Sequence, residues 1–392
     1  MNRIDLDNQA TTRLDPLVFE AMRPWLLGRG GNASSTQHAS GRDARDAVES
    51  AREEVAAAIG CQPRELIFTS GATEANNLAI RGVLEASREH SQFITTAAEH
   101  RSVLDPGRRL SRMGYVTTVL PVDEEGRVDP AAIAQAAAPT AMLVSVMLAN
   151  NEVGTINDLT EICRVAERQR LLVHCDAAQG LGEGMAVLSR APVDLLSLSA
   201  HKIHGPQGVG ALLVRRGSRR IPIRPLLEGG GHELGLRSGT LPTALIVGFG
   251  EAVRILRTDA TRTHDLCSRR NRLWELLRNI PGIRRNGPPL ESGLRLSNNL
   301  NVSFEGIDGA ALLARIDQAG LDVSSGAACS SSDPEPSHVL RAIGLNDALA
   351  RASLRFGLSR FTTDDEIDRA AAIVSDAVTS LRGETTQPPG ET

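Results

Sequence analysis

The sequence predicts an α/β protein with a large domain, built on a mostly parallel sheet covered by helices, and a smaller α+β domain. Three observations carry that expectation. Short β-branched or apolar runs alternate with amphipathic segments from about residue 48 to 260, the pattern of crossover units that build parallel sheets. Past Arg257 the alternation gives way to a polar, Arg-rich segment and shorter strand-like pieces. The length of 392 residues is also enough for two domains of about 150 residues or more each.

In chain order, Leu66–Thr69, Phe93–Thr96, Val116–Leu120, Leu143–Met147, Leu171–Cys175, Leu195–Leu198 and Val209–Val214 read as strands. Helical patterns fall between several of them, at Val48–Ile59, Asn76–Ser87, Pro130–Ala138 and Leu159–Arg168, the last with Asp158 as N-cap. These elements place the large domain at residues 16–260. Helices at Asp265–Asn279, Gly309–Gln318 and Asp364–Ser380, with strands near Leu294–Val302 and at Ser353–Phe356, fill a small domain of residues 261–382 completed by residues 1–15. Residues 383–392 lack apolar side chains and are expected to be disordered.

Composition excludes several classes. A hydrophobic content of 41% with 23% charged residues rules out wholesale disorder. A net charge of −4 without a basic run argues against direct nucleic-acid binding. The longest apolar stretch, residues 141–149, is far short of the ~20 residues that span a bilayer. The first residues are polar and acidic, unlike a signal peptide. Five scattered cysteines without a C-x-x-C pair fit neither a disulfide framework nor a zinc site. A reduced, cytoplasmic, metal-free protein is the expectation.

Among 43 basic residues, Lys202 is the one lysine. Composition drift would explain that, and so would a chemical need. A guanidinium stays protonated, whereas an amine can lose its proton and attack a carbonyl. The surroundings favour the second reading. A predicted strand ends at Ser199-Ala-His-Lys202, so hydroxyl, imidazole and amine leave it together, ahead of the rigid Gly205-Pro206. Phe68-Thr-Ser-Gly-Ala-Thr-Glu joins a strand to a helix through a glycine turn, an anion site in the making. Ser70 and Thr73 add hydroxyls there, and the alternative is a plain helix cap. Asp176 closes an apolar strand, where a carboxylate needs a cation such as a pyridinium N–H, or else caps the next turn. His100 follows another strand and is either a planar stacking partner or a structural hydrogen-bonder. Cys329 sits in nine consecutive small residues, Ser324-Ser-Gly-Ala-Ala-Cys-Ser-Ser-Ser. A thiol on such a loop is read as an accessible nucleophile.

Taken together these segments, with Asp7-Asn-Gln-Ala-Thr-Thr, Gly31-Asn-Ala-Ser-Ser and Arg355-Phe-Gly-Leu-Ser-Arg-Phe-Thr, resemble the cysteine desulfurases of the class V aminotransferase-like, fold-type I pyridoxal-phosphate enzymes. The resemblance covers nearly the whole chain. It implies pyridoxal 5'-phosphate linked to Lys202, with His100 over the ring, Asp176 on its nitrogen, and Gln179 and Asn151 beside it. It implies a phosphate held by Ala72, Thr73, Ser199 and His201, joined by Thr240 from the second subunit of a homodimer. Asn32 and Arg355 would take the carboxylate of L-cysteine, and His100 would donate or accept the proton of the substrate thiol. Cys329 would take the sulfur as a persulfide, leaving L-alanine, and pass it to an acceptor protein such as an iron–sulfur scaffold. Iron–sulfur assembly is the commonest use of such a persulfide; tRNA thiolation and DNA sulfur modification are others. Ala33, Gln207 and Leu234 depart from the residues common in this family, Pro, Lys and Arg respectively. The competing readings are a selenocysteine lyase, another class V lyase or aminotransferase, and a non-catalytic sulfur-transfer scaffold.

Overall fold

The computed structural model describes residues 3–28, 30–87, 91–217, 220–259, 262–325 and 335–385. Its strands are β1 (Ile4–Asp5), β2 (Leu66–Thr69), β3 (Gln92–Thr96), β4 (Val116–Leu120), β5 (Ala141–Ser145), β6 (Leu172–Asp176), β7 (Leu195–Ser199), β8 (Gly210–Val214), β9 (Ile283–Arg285), β10 (Asn299–Phe304), β11 (Leu321–Asp322) and β12 (Ser353–Gly357). Seven of them form one sheet in the order β2-β8-β7-β6-β5-β3-β4. All its neighbours run parallel except β8, which pairs antiparallel with β2 and with β7. The strands β2, β3, β5, β6 and β7 therefore point the same way, and their carboxyl ends share one edge of the sheet.

Strand alternation divides the core. Phe68, Ile94, Val144, Val173, Cys175, Leu196, Leu198 and Leu213 face one apolar layer. Their neighbours Ile67, Phe93, Leu143, Leu172, Leu195 and Leu212 face another, which includes Leu78, Ile80 and Val83 of the helix Ala72–Ala86. Burial of both faces is why these strands read as continuous apolar runs. A third core joins Ile4 and Leu6 to residues from Leu266 to Val378, around the three-stranded sheet β12-β10-β9. Parallel pairing of β1 with β11 ties the first residues to this third core.

Local signals explain most boundaries. Leu159–Arg168 and Gly309–Gln318 are helices as expected, with Asp158 and Asp308 accepting backbone N–H groups as N-caps. Three expectations need correction. The helix expected from Val48 begins at Ala39, because His38 Nδ1 caps it by accepting from Gly41 N; its polar first turns gave no apolar period. The strand expected near Leu294 begins at Asn299. Ahead of it, buried Arg295 donates Nε to Pro288 O at 2.9 Å, satisfying a loop rather than a ladder. The last helix runs to Thr385, taking in the first three residues of the segment expected to be disordered; residues 386–392 lie outside the described part. Among the described residues no helix is long and apolar enough to cross a membrane.

Candidate active site

A cavity of about 470 Å³ opens at the carboxyl ends of β2, β3, β5, β6 and β7, where ligands of open α/β sheets bind. Ala72, Thr73, His100, Asn151, Asp176, Gln179, Ser199, His201, Lys202 and Arg355 all line it. Sequence segments up to 283 residues apart are thus brought together. Asn32 and Thr240 do not line it; Asn32 accepts from Ser34 N at 2.9 Å, and Thr240 is exposed. Cys329 lies outside the described residues.

The helix Ala72–Ala86 opens on the cavity through Gly71, whose φ of +149° suits glycine, and no side chain caps its first turn. The approach is close. A β-carbon at Gly210 would meet Leu198 O at 2.4 Å and Gly71 Cα at 2.7 Å. Uncapped amides at a helix start favour an anion. Above them, Ser199 Oγ is buried without a hydrogen-bond partner among the described residues. Such an atom costs free energy unless a ligand satisfies it. His201 stands beside it with Nδ1 3.0 Å from Thr11 Oγ1. Burial, helped by the Lys202 charge, holds its imidazole down to about 4, so it is neutral at pH 7.

Asp176 ends β6 with Oδ1 accepting from Ala178 N at 2.9 Å and Oδ2 from Asn76 Nδ2 at 2.7 Å. It caps the turn, as one of the two sequence readings has it, and it also lines the cavity. Lys202 Nζ donates to the carbonyls of Gln9 at 2.5 Å and Ala10 at 2.8 Å. Gln179 Nε2 donates to the same Gln9 carbonyl at 2.8 Å. Arg355 is buried, paired with Asp7 Oδ1 at 2.7 Å and donating to Asn151 O at 3.2 Å. Of the three departures, Gln207 lines the cavity and donates to Thr11 Oγ1 at 3.2 Å. Ala33 packs against the main core. Leu234 is 59% exposed at φ +60°, next to Glu233, which is locked inward by Arg52 at 2.7 Å.

Several residues of the site have no role assigned from the sequence. Gln9, Ala10 and Thr11 close the cavity because chain crossing, not periodicity, brings them under Lys202. Asn76 and Ser102 are buried polar residues on otherwise apolar helix faces, and that mismatch is the signal available for them. The described cysteines do not compete as nucleophiles. Burial pushes Cys61 and Cys163 up to about 12, Cys175 well up and Cys267 up, so none favours its thiolate.

A strand-end cavity with one lysine, an anion cradle and a carboxylate at a strand terminus defines a pyridoxal-phosphate enzyme of the fold-type I class. The Aminotransferase class-V profile matches residues 4–370, and the chain belongs to that family. The cysteine desulfurase IscS of Stutzerimonas stutzeri is 44% identical over 97% of this chain and 93% of its own length. A solved NifS-like protein superposes with a TM-score of 0.89 at 36% identity, covering 97% of this chain and all of the other. A structure described as SspA in complex with cysteine gives 0.78 at 34% identity over 91% of this chain.

Proposed function

We propose that this protein is a pyridoxal-phosphate-dependent cysteine desulfurase, converting L-cysteine to L-alanine and leaving a persulfide on Cys329. The observation that carries the reading is the convergence of Lys202, Asp176, the uncapped turn at Gly71 and the orphaned Ser199 Oγ on one cavity. Those residues fit the cofactor. The first-turn amides, Thr73, Ser199 Oγ and neutral His201 would hold its phosphate, and Asp176 would face its ring nitrogen. The cofactor supplies an aldehyde that condenses with amines and a ring that takes up electrons from the substrate.

The chain's own groups supply the rest. Lys202 would hold the cofactor, and its amine is the group on the cavity wall that would move the α-proton. Arg355, already oriented by Asp7 and Asn151 O, receives the substrate carboxylate as a fork. The Cys329 thiolate forms a bond to the substrate sulfur as the carbon–sulfur bond breaks, and a proton delivered to the carbon completes alanine. Asn32 and Thr240 lie off the cavity of a single chain; Thr240 would reach the phosphate of a second subunit, which makes the working unit a homodimer. The persulfide would pass to an acceptor protein, for which an iron–sulfur scaffold is the reading adopted. On the same reading residues 16–260 hold the cofactor, while residues 1–15 and 261–382 carry the sulfur-accepting loop. The test is turnover of cysteine by the yellow holoenzyme: alanine is expected, and its absence with the cofactor fully bound overturns the reading.

A further inference from the structure

Lys202 Nζ meets a pair of backbone carbonyls, donating to Gln9 O at 2.5 Å and to Ala10 O at 2.8 Å. Both belong to the segment near the start of the chain that helps close the cavity. Gln179 Nε2 donates to Gln9 O as well, at 2.8 Å, so that oxygen uses both of its lone pairs.

This segment is fixed on both sides. Ala10 N donates to Asp7 O at 2.9 Å, closing a turn. Asn8 donates to Gly357 O from its backbone N at 3.1 Å and from Nδ2 at 2.9 Å. The approach to β12 is tight there: a β-carbon at Gly357 would meet Gln9 N at 2.6 Å. Beyond the turn, Thr12 N and Oγ1 each donate at 2.9 Å to the carbonyl of His201, the residue before Lys202. The Gln9 side chain is buried and donates Nε2 to Asn298 Oδ1 at 3.0 Å. The two carbonyls are thereby held against the loop that carries the lysine.

The hydrogens on Nζ differ between its bound and free forms. Joined by a double bond to an aldehyde carbon, a neutral lysine nitrogen bears no hydrogen and a protonated one bears a single hydrogen, whereas a free amine bears two or three. When a substrate amine takes that carbon from the neutral linkage, its nitrogen forms the bond that Nζ gives up. The two hydrogens it loses end on Nζ. A linked Nζ cannot fill both carbonyls, and a free one can.

We infer that the carbonyls of Gln9 and Ala10 are a dock for the Lys202 amine that competes with the cofactor for this nitrogen and favours its release to substrate, with Gln9 and Asn298 as positioning residues for the dock. The inference rests on the cavity being the cofactor site. Attaching the cofactor costs hydrogen bonds that displacement by a substrate amine restores. The dock therefore moves the two equilibria in opposite directions.

The test uses the single lysine of the chain. Protein grown with lysine isotopically labelled at Nζ gives one side-chain nitrogen signal in NMR. A solvated lysine amine exchanges its protons too fast to be seen at neutral pH. Before cofactor is added, a protected Nζ–H signal is expected at neutral pH. Loading the cofactor should abolish it, and saturating the holoenzyme with L-alanine should bring it back. A freely exchanging amine before loading overturns the dock, and so does a signal that stays absent while visible absorbance shows the lysine displaced. The first of these measurements needs no substrate, so it holds or fails apart from the desulfurase reading. Gln9→Met keeps the bulk and removes the donor, and Asn298→Ala removes the acceptor. Either should raise the L-alanine concentration for half-displacement about three- to tenfold, the contribution of one hydrogen bond, while cofactor affinity stays equal or rises. Both affinities falling together would make the two residues structural supports only, and both unchanged would remove them from the account; either result overturns their assignment.

Discussion

Replacing Ser199 by Ala separates the cofactor's needs from the fold's. In the protein as described, Ser199 Oγ is buried on the cavity wall with no hydrogen-bond partner among the described residues. A group in that position opposes folding, and a phosphate in the cavity would satisfy it. A hydrogen bond from such a hydroxyl to a charged phosphate contributes about 1.5–3 kcal/mol. Losing it should weaken cofactor binding roughly 10- to 100-fold. Removing a buried, unsatisfied hydroxyl from the empty protein should cost nothing and can contribute up to about 1–3 kcal/mol of stability. The two effects have opposite signs, which a merely structural serine would not produce. The assay pairs cofactor titration, followed by visible absorbance, with thermal unfolding of the cofactor-free protein. Weaker binding together with an equal or higher apo Tm supports the reasoning. Unchanged cofactor affinity, or a clear fall in the apo Tm, refutes it.

Other predictions follow from burial and charge. Glu99 is fully buried, and burial, with the Asp176 charge adding, pushes its carboxyl from 4.5 up to about 8. A raised carboxyl contributes stability that is present below pH 4.5 and lost as pH rises through about 8. The loss is at most about 1.4 kcal/mol per pH unit in that window. Glu99→Gln cannot ionise, so its unfolding free energy should vary less over that range than the wild type's, and identical slopes in denaturant titrations would exclude the effect. Arg52→Met leaves Glu233 buried with Phe68 N as its remaining donor. It should destabilise the fold by about 3–5 kcal/mol, measured by urea unfolding, and a loss below 1 kcal/mol would contradict a tightly coupled pair. Lys202→Arg keeps the charge but should lose the visible absorption of the lysine-linked cofactor, and a retained band would move the attachment point elsewhere.

Much of this architecture was legible because the informative residues break local rules. Asp176 ends an apolar strand, and Lys202 stands alone among arginines in a strand-end loop. Both conflicts are explained by one cavity, and the parallel sheet could be read from strands buried on both faces. What stayed hidden depends on tertiary crossing. Nothing in Gln9-Ala10-Thr11 marks it as the floor under Lys202, since its contribution is two backbone carbonyls. The early start of the helix Ala39–Ala58 escaped because its cap is an imidazole and its first turns are polar. In the sequence Asn76 reads as the start of a helical pattern; the Asp176 carboxylate, 100 residues away, gives its amide a partner. The antiparallel β8 lay among strands expected to be mostly parallel, and the sequence carries no mark of its direction.

The central claim is that sulfur leaves cysteine for Cys329. The direct measurement is one turnover of the reduced holoenzyme with L-cysteine and no acceptor, followed by alanine quantitation and peptide mass mapping under non-reducing conditions. Alanine matched by one added sulfur atom on the peptide containing Cys329 is predicted, with Cys329→Ser still binding the cofactor but forming no persulfide. Stoichiometric alanine with the sulfur on Cys61, Cys163, Cys175 or Cys267, or with none on the protein, would contradict the account.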